Sequence, residues 1–170
     1  MAISTFDGPV RSLGGMYSQG PNGIVTLGAT ATLTVADHAG KMLLVPATCA
    51  ITLPTIVSTA YPVTSGPGGD PNSTNNLNVS FKLVFTAASA GATAQTITCG
   101  GSDVYVGMLI VKGTTTAGFN STTNTVITLN ATTTGGAAAG SIIELVPYAS
   151  AKWLVDGTLI GSGSVATPFS

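Results

Sequence analysis

Apolar and mostly polar side chains alternate along residues 77–87, LNVSFKLVFTA, and this is the clearest pattern in the chain. The apolar positions are Leu77, Val79, Phe81, Leu83 and Phe85. A period of two residues places one set of side chains on each face of an extended strand. One face is then a continuous apolar ladder, so the pattern predicts a strand that a second layer of the fold must cover.

Eight further regions have the length and composition of strands. They are residues 24–35 (interrupted at Gly28), 41–46, 49–53, 95–99, 104–111, 125–130, 141–148 and 152–155. Turn residues separate them, with loops expected at 55–76 and 113–124 and a turn at Asp156-Gly157. About nine short strands without helical periodicity predict an all-β fold, and we expect an antiparallel, jelly-roll-like β-sandwich. The lack of an exact internal repeat argues against a β-solenoid or propeller.

The two ends of the chain differ from its centre. Residues 24–160 carry the strands, whereas residues 1–23 are broken repeatedly by glycine and proline and 161–170 form a small-residue tail. Large apolar groups nevertheless recur in residues 1–23, which a purely solvated segment would not need. We therefore expect an extended N-terminal arm that lies on another subunit. Its predicted contact residues are Ile3, Phe6, Asp7, Arg11, Leu13, Met16 and Tyr17.

The composition is poor in charge and limits the partners. Charged residues make up 6% of the chain, the formal net charge is −1, and the mean hydropathy is +0.48. No basic cluster is present to bind nucleic-acid phosphates, and no long apolar or amphipathic stretch suits a membrane. A surface with so little charge suits association with copies of itself or a partner. We expect a homotrimer.

Candidate catalytic and metal-binding residues are few and scattered. His38 is the only histidine, and its neighbour Asp37 would point away from it in an extended chain, so a catalytic triad is not predicted. The carboxylates are isolated along the sequence. Cys49 and Cys99 lie in strand-like stretches and are expected to be reduced, buried side chains rather than a disulfide. We therefore expect no enzyme activity, no metal and no cofactor.

Three stretches carry a resemblance to a known group of proteins. They are the opening MAISTFDGPVRSLGG, the middle TLTVADHAGKMLLV…ITLP, and the close WLVDGTLIGSG…TPFS. Together they resemble small β-rich virion proteins of tailed bacteriophages, marine and cyanobacterial ones especially, which include capsid decoration (cement) proteins. The resemblance implies a non-enzymatic protein on the outer surface of the phage head. There it would bind the major capsid protein, as a trimer at local three-fold positions, and stabilise contacts between capsid subunits.

Two other classes of protein remain open from the sequence. Modules of phage tail or head fibres share the pattern around residues 36–54, so a receptor- or glycan-binding fibre module is the main alternative. That reading would require a trimeric stem or an attachment domain, and neither is visible in the sequence. A pilin or surface-layer subunit would require an export signal, and the first 13 residues contain no apolar signal core.

Overall fold

A computed structural model of the chain describes residues 23–58, 76–91 and 94–170. These residues form eleven β-strands and one short helix. The strands are β1 (Ile24–Thr26), β2 (Thr30–Thr32), β3 (Met42–Val45), β4 (Cys49–Thr52), β5 (Phe81–Phe85), β6 (Gln95–Thr98), β7 (Val104–Lys112), β8 (Thr116–Ser121), β9 (Val126–Leu129), β10 (Ile142–Ala149) and β11 (Lys152–Ile160). The helix α1 (Val35–His38) is a single turn. The all-β prediction is confirmed.

The strands form two mixed sheets. A seven-stranded sheet has the order β1-β3-β5-β10-β11-β7-β8, and a four-stranded sheet has the order β2-β4-β6-β9. Inward-facing side chains of both sheets belong to one continuous hydrophobic core. The hydroxyl of Tyr105 on β7 crosses this core and donates a 3.0 Å hydrogen bond to the Ile97 carbonyl on β6.

The first six strands alternate between the two sheets. As a result, strands that are neighbours within one sheet run parallel to each other. β1, β3 and β5 pair in parallel in the large sheet, and β2, β4 and β6 do so in the small one. The chain thus makes three successive coils, as in a β-solenoid, although no sequence repeat marks them. The predicted purely antiparallel pairing is therefore wrong, and the jelly-roll topology is not confirmed. Strand patterns give the faces of a strand but not its neighbours.

The second half of the chain is largely antiparallel. β10 pairs with β5 and β11, and β7 pairs with β8, all antiparallel, while β11 and β7 run parallel in the large sheet. Two sequence predictions are corrected here. Strand β8 occupies part of the expected loop 113–124, and β11 continues through the expected turn at Asp156-Gly157. Gly157 is needed in that strand because a Cβ there would clash with the Ile142 carbonyl oxygen.

The strand predicted at residues 77–87 forms only over its second half. Phe81, Leu83 and Phe85 of β5 point into the core and are buried, as the alternation predicted. Residues 77–80 precede the strand, and Asn78 has a left-handed φ of 63°. The ring of Phe81 packs against the buried Trp153 of β11 at a centroid distance of 5.8 Å.

The C-terminal segment 161–170, expected to be a tail, ends against the four-stranded sheet. Val126 and Ser170 exchange backbone hydrogen bonds, and the Thr128 N–H donates to the Pro168 carbonyl. Phe169 is 6% exposed, and its ring lies 6.3 Å from that of Tyr105. The last residues therefore cover the β9 edge, which would otherwise expose unpaired backbone groups.

Candidate functional site

The outer face of the seven-stranded sheet presents its side chains in straight rows. The register of the strands sets two rows that cross the whole sheet. The charged row contains Ile24, Met42, Lys82, Glu144, Asp156, Met108 and Asn120. The apolar row, two residues further along the strands, contains Thr26, Leu44, Val84, Ile142, Thr158, Ile110 and Gly118. A shorter third row, Val146, Leu154 and Val106, adjoins the charged row. We call these three rows the seven-stranded face.

The seven-stranded face concentrates the exposed hydrophobic surface of the described residues. Among the described residues, seven large hydrophobic side chains are exposed. Five of them belong to these rows: Ile24, Met42, Met108, Ile142 and Leu154. Leu154 is 45% exposed and Met108 is 42% exposed. Neighbouring strands are about 4.8 Å apart, so the six intervals between β1 and β8 extend the face over about 29 Å. This concentration of exposed apolar side chains makes the face the candidate interaction surface of the described residues.

Three charges interrupt the apolar character at the centre of this face. Lys82 lies directly opposite Glu144, and Glu144 lies directly opposite Asp156. All three side chains are exposed, and none forms an ion pair with another described residue. Two carboxylates opposite each other repel. The centre of the face is thus suited to accept a cation from outside the subunit.

The outer face of the four-stranded sheet has a different character. Its two rows contain six threonines, one alanine and one valine: Thr30, Ala50, Thr96 and Thr128, then Thr32, Thr52, Thr98 and Val126. None of the six threonine hydroxyls has a hydrogen-bond partner among the described residues. This face, which we call the threonine face, is uncharged and rich in hydroxyl groups.

The one histidine belongs to a capping arrangement rather than to a triad. The Thr34 N–H donates to Nδ1 of His38 at 3.0 Å, and the Thr34 hydroxyl donates to Oδ2 of Asp37 at 2.8 Å. Asp37 and His38 therefore both contact Thr34 instead of each other. A triad needs the carboxylate to orient the imidazole. These contacts fasten the first turn of α1, as Ser or Thr does at a helix N-cap.

Asp103 is a buried carboxylate with a structural task. It is 3% exposed, and its Oδ2 accepts the Ile56 N–H at 2.7 Å and the Trp153 Nε1–H at 3.4 Å. Both donors come from segments distant in sequence. The carboxylate therefore ties the backbone after β4 to the tryptophan in the core. No sequence pattern indicated this role, because Asp103 is isolated in a Gly-Gly-Ser-Asp turn.

Both cysteines are unpaired and buried, as the sequence predicted. Burial raises the pKa of the Cys49 thiol, and burial raises the pKa of the Cys99 thiol to about 12. Burial likewise raises the pKa of Tyr105 well above its usual value. A reactive thiol requires a lowered pKa and access to solvent, and these environments supply neither.

The predicted contact residues of the arm lie outside the described residues. These are Ile3, Phe6, Asp7, Arg11, Leu13, Met16 and Tyr17. Within the described ranges, no group of three or more His, Cys, Asp and Glu side chains could hold a metal ion. In the same part of the chain, no helix has the length and apolar character needed to cross a bilayer.

Comparisons with protein-family models, curated proteins and solved structures found no match to this chain. The surfaces themselves therefore carry the functional argument. Sequence reasoning did not identify the seven-stranded face, because its rows join strands that are distant in sequence. The sequence signal that could have identified this face is the set of outward-facing positions in each alternating strand pattern. Ile142, Glu144 and Val146 alternate with buried residues just as the core positions do.

Proposed function

We propose that this protein is a structural virion subunit, a capsid decoration or cement protein on the outer surface of a phage head. Its partners in this proposal are the major capsid protein and copies of itself, arranged as a homotrimer at local three-fold positions. The protein would act by binding across neighbouring capsid subunits and stabilising their contacts. Such a role uses surfaces rather than a reaction centre.

The observation that supports this proposal is the exposed seven-stranded face. It combines five exposed large hydrophobic side chains with three charges that form no ion pair with another described residue. Burying each large apolar side chain contributes about 1.5–3 kcal/mol, so such a face favours association. The resemblance of the chain ends and of residues 32–54 to phage decoration proteins suggests which kind of particle the partner belongs to.

The arm is the second part of the proposed attachment device. Burial of Ile3, Phe6, Leu13 and other apolar arm residues would contribute about 1.5–3 kcal/mol each. Ordering the backbone costs about 1–2 kcal/mol per residue, so one arm alone gives a nearly balanced sum. Three arms on one trimer would act together through their effective concentration and make attachment strong. Arg11 is expected to pair with a carboxylate of the capsid.

The test is binding to undecorated heads, measured with the full chain and with residues 2–17 deleted. The deletion should leave the melting temperature nearly unchanged, while affinity for heads falls by at least about tenfold. A full-length control with serine at Ile3, Phe6, Leu13, Met16 and Tyr17 should behave like the deletion. Arg11→Ala alone should weaken binding less. If the full chain does not bind heads, the capsid role is wrong. If the deleted protein binds as well as the full chain, the arm is not the attachment device.

A receptor- or glycan-binding fibre module is the second candidate function, and the threonine face favours it. Six threonine hydroxyls that have no hydrogen-bond partner in the described part of the chain could donate to and accept from the hydroxyl groups of a sugar. A glycan array probed with the purified protein tests this. Binding that is lost in Thr98→Lys, at the centre of the face, and retained in Thr122→Lys, in the turn before β9, would support the fibre role.

A further inference from the structure

The seven-stranded face needs an occupant that offers both apolar side chains and a cation close to its two central carboxylates. The two carboxylates Glu144 and Asp156 lie side by side, with Lys82 on one flank and Met108 on the other. A purely apolar partner would leave these charges without compensation as it covered them, which is costly. The face itself contains the required combination, because Lys82 is a cation in the same row.

We infer that a second copy of the chain covers this face. The two sheets pack face to face about a two-fold axis that runs along the strands at β10. Such a contact is isologous, so each residue pair occurs twice. The inference does not depend on the proposed capsid role, because it concerns the protein free in solution. The homotrimer of the proposed function would assemble on the capsid, where capsid subunits take the place of the second copy.

The position of β10 makes the face complementary to itself. β10 is the fourth of the seven strands, with β5 on one side and β11 on the other. Rotation about an axis along β10 exchanges these two flanks. Lys82 of one copy then lies over Asp156 of the second, and Asp156 over Lys82. Packed sheets are about 10 Å apart, a gap that a lysine and an aspartate side chain bridge together.

The apolar positions also match under this rotation. Met42 on β3 lies over Met108 on β7, so two flexible thioether side chains meet on each side of the charged centre. Ile142 is the middle residue of the apolar row, and Leu154 is the middle residue of the third row. Methionine adapts well to irregular gaps between packed surfaces. The arrangement therefore joins Met42 to Met108 and Lys82 to Asp156 on both sides of the axis.

One contact between the two copies is unfavourable, and it provides a further test of the inference. Glu144 lies on the axis, so the two Glu144 carboxylates face each other. Like charges opposed across an interface weaken it. Removing this charge should strengthen the pair, whereas removing Lys82 should weaken it. The exchange of Lys82 and Asp156 is the sharper test, because it leaves the net charge of the chain unchanged and a generic sticky surface would not recover affinity through it.

The pair is expected to be weak and dependent on concentration. Three rows span about four residues, or about 13 Å, along the strands and about 29 Å across them, giving a footprint of roughly 400 Å² per copy. Stable interfaces bury about 800 Å² per partner, so a weak association is expected. β1 is an edge strand of the large sheet, so Gly23, the residue before it, lies at the margin of this footprint.

The test is sedimentation equilibrium of the full chain over about 1–200 µM at low salt, where charge effects are largest. The wild type should shift from the 16.8 kDa species to twice that mass. Lys82→Asp and Asp156→Lys should each weaken the pair by about tenfold or more, and Glu144→Gln should strengthen it. The double variant Lys82→Asp with Asp156→Lys should regain affinity, because the charges are exchanged between the copies.

Two matched controls separate the face from general surface effects. Leu154→Asp places a charge in the face and should abolish pairing, while Val35→Asp places one at an exposed apolar position on α1 and should not. Lys41→Glu, a charge reversal outside the rows, should also have no effect. Unchanged far-UV circular dichroism checks that each variant is folded.

Several results would overturn the inference. They are a monomer at every concentration, a three-fold mass, no recovery in the double variant, or equal weakening by Val35→Asp and Leu154→Asp. The three-fold mass would instead match the homotrimer of the proposed function. A dimer that nevertheless binds no heads would leave this inference intact and refute the capsid role.

Discussion

Glu144 and Asp156 lie directly opposite each other on the antiparallel strands β10 and β11, with both carboxylates exposed on the same face. Directly opposed like charges destabilise a sheet, and neither group has an ion-pair partner among the described residues. Lys82 is adjacent to Glu144 but not to Asp156, because β10 separates β5 from β11. The two carboxylates therefore differ in how much their removal should change stability.

The first prediction concerns this carboxylate pair. Asp156→Asn should raise the free energy of unfolding of the monomer by about 0.2–1 kcal/mol, because it removes the repulsion without removing an attraction. Glu144→Gln should raise the free energy of unfolding by less, since it also removes the attraction between Glu144 and the neighbouring Lys82. Urea unfolding at low protein concentration measures both changes. The gain from Asp156→Asn should shrink in 1 M salt, and a loss of stability at low salt would contradict the prediction.

The second prediction concerns the aromatic pair in the core. Phe81 is completely buried and packs on Trp153, so Phe81→Ala should cost about 3–5 kcal/mol. Lys82→Ala, the next residue on the exposed side of β5, is the matched control and should change stability by at most about 0.5 kcal/mol. Chemical denaturation measures both. A cost below about 1 kcal/mol for Phe81→Ala would mean that the core is not packed as described.

The sequence allowed the faces of the strands to be predicted, because a period of two residues is a local property. The burial of Phe81 and Phe85 followed from it. The pairing of strands could not be predicted, since one alternating pattern is compatible with a parallel or an antiparallel neighbour. The alternation of the first six strands between two sheets was missed for this reason.

Two errors in strand boundaries have a common cause in glycine. Gly118 and Gly157 were interpreted as loop or turn residues, yet both lie within strands. At Gly157 the carbonyl of Ile142 approaches too closely for a Cβ, so glycine is needed for close packing rather than for a turn. The interaction surface could not be predicted either, because Lys82, Glu144 and Asp156 become neighbours only through the register of three strands.

The third prediction concerns pH. Burial raises the pKa of the Cys99 thiol from 9.0 to about 12 in the folded protein. Between these values the unfolded chain loses this proton while the folded chain retains it. The stabilisation is therefore complete below about pH 9 and is lost progressively as the pH rises to about 12. Urea unfolding across this range should show less loss of stability for Cys99→Ala than for the wild type. Identical slopes would contradict the prediction.

The fourth prediction concerns the C-terminal segment that covers β9. Phe169→Ala removes a nearly buried ring from Tyr105 and should cost about 3 kcal/mol, at the lower end for such changes because the site is peripheral. Ser170→Ala is the control, since its backbone hydrogen bonds with Val126 do not depend on the side chain. Thermal or urea denaturation measures the two costs.

Deleting residues 168–170 should have a second effect that Phe169→Ala does not share. The deletion removes the Pro168 carbonyl that accepts from Thr128 and both backbone hydrogen bonds of Val126, so the β9 edge becomes unpaired. An unpaired edge is a template for strand addition from other molecules. The two variants are first brought to equal stability by adding urea to the more stable one. Light scattering on warming should then show aggregation at a lower temperature for the deletion than for Phe169→Ala. Equal aggregation at equal stability would mean that the ring of Phe169, and not the edge pairing, is what the C-terminal segment contributes.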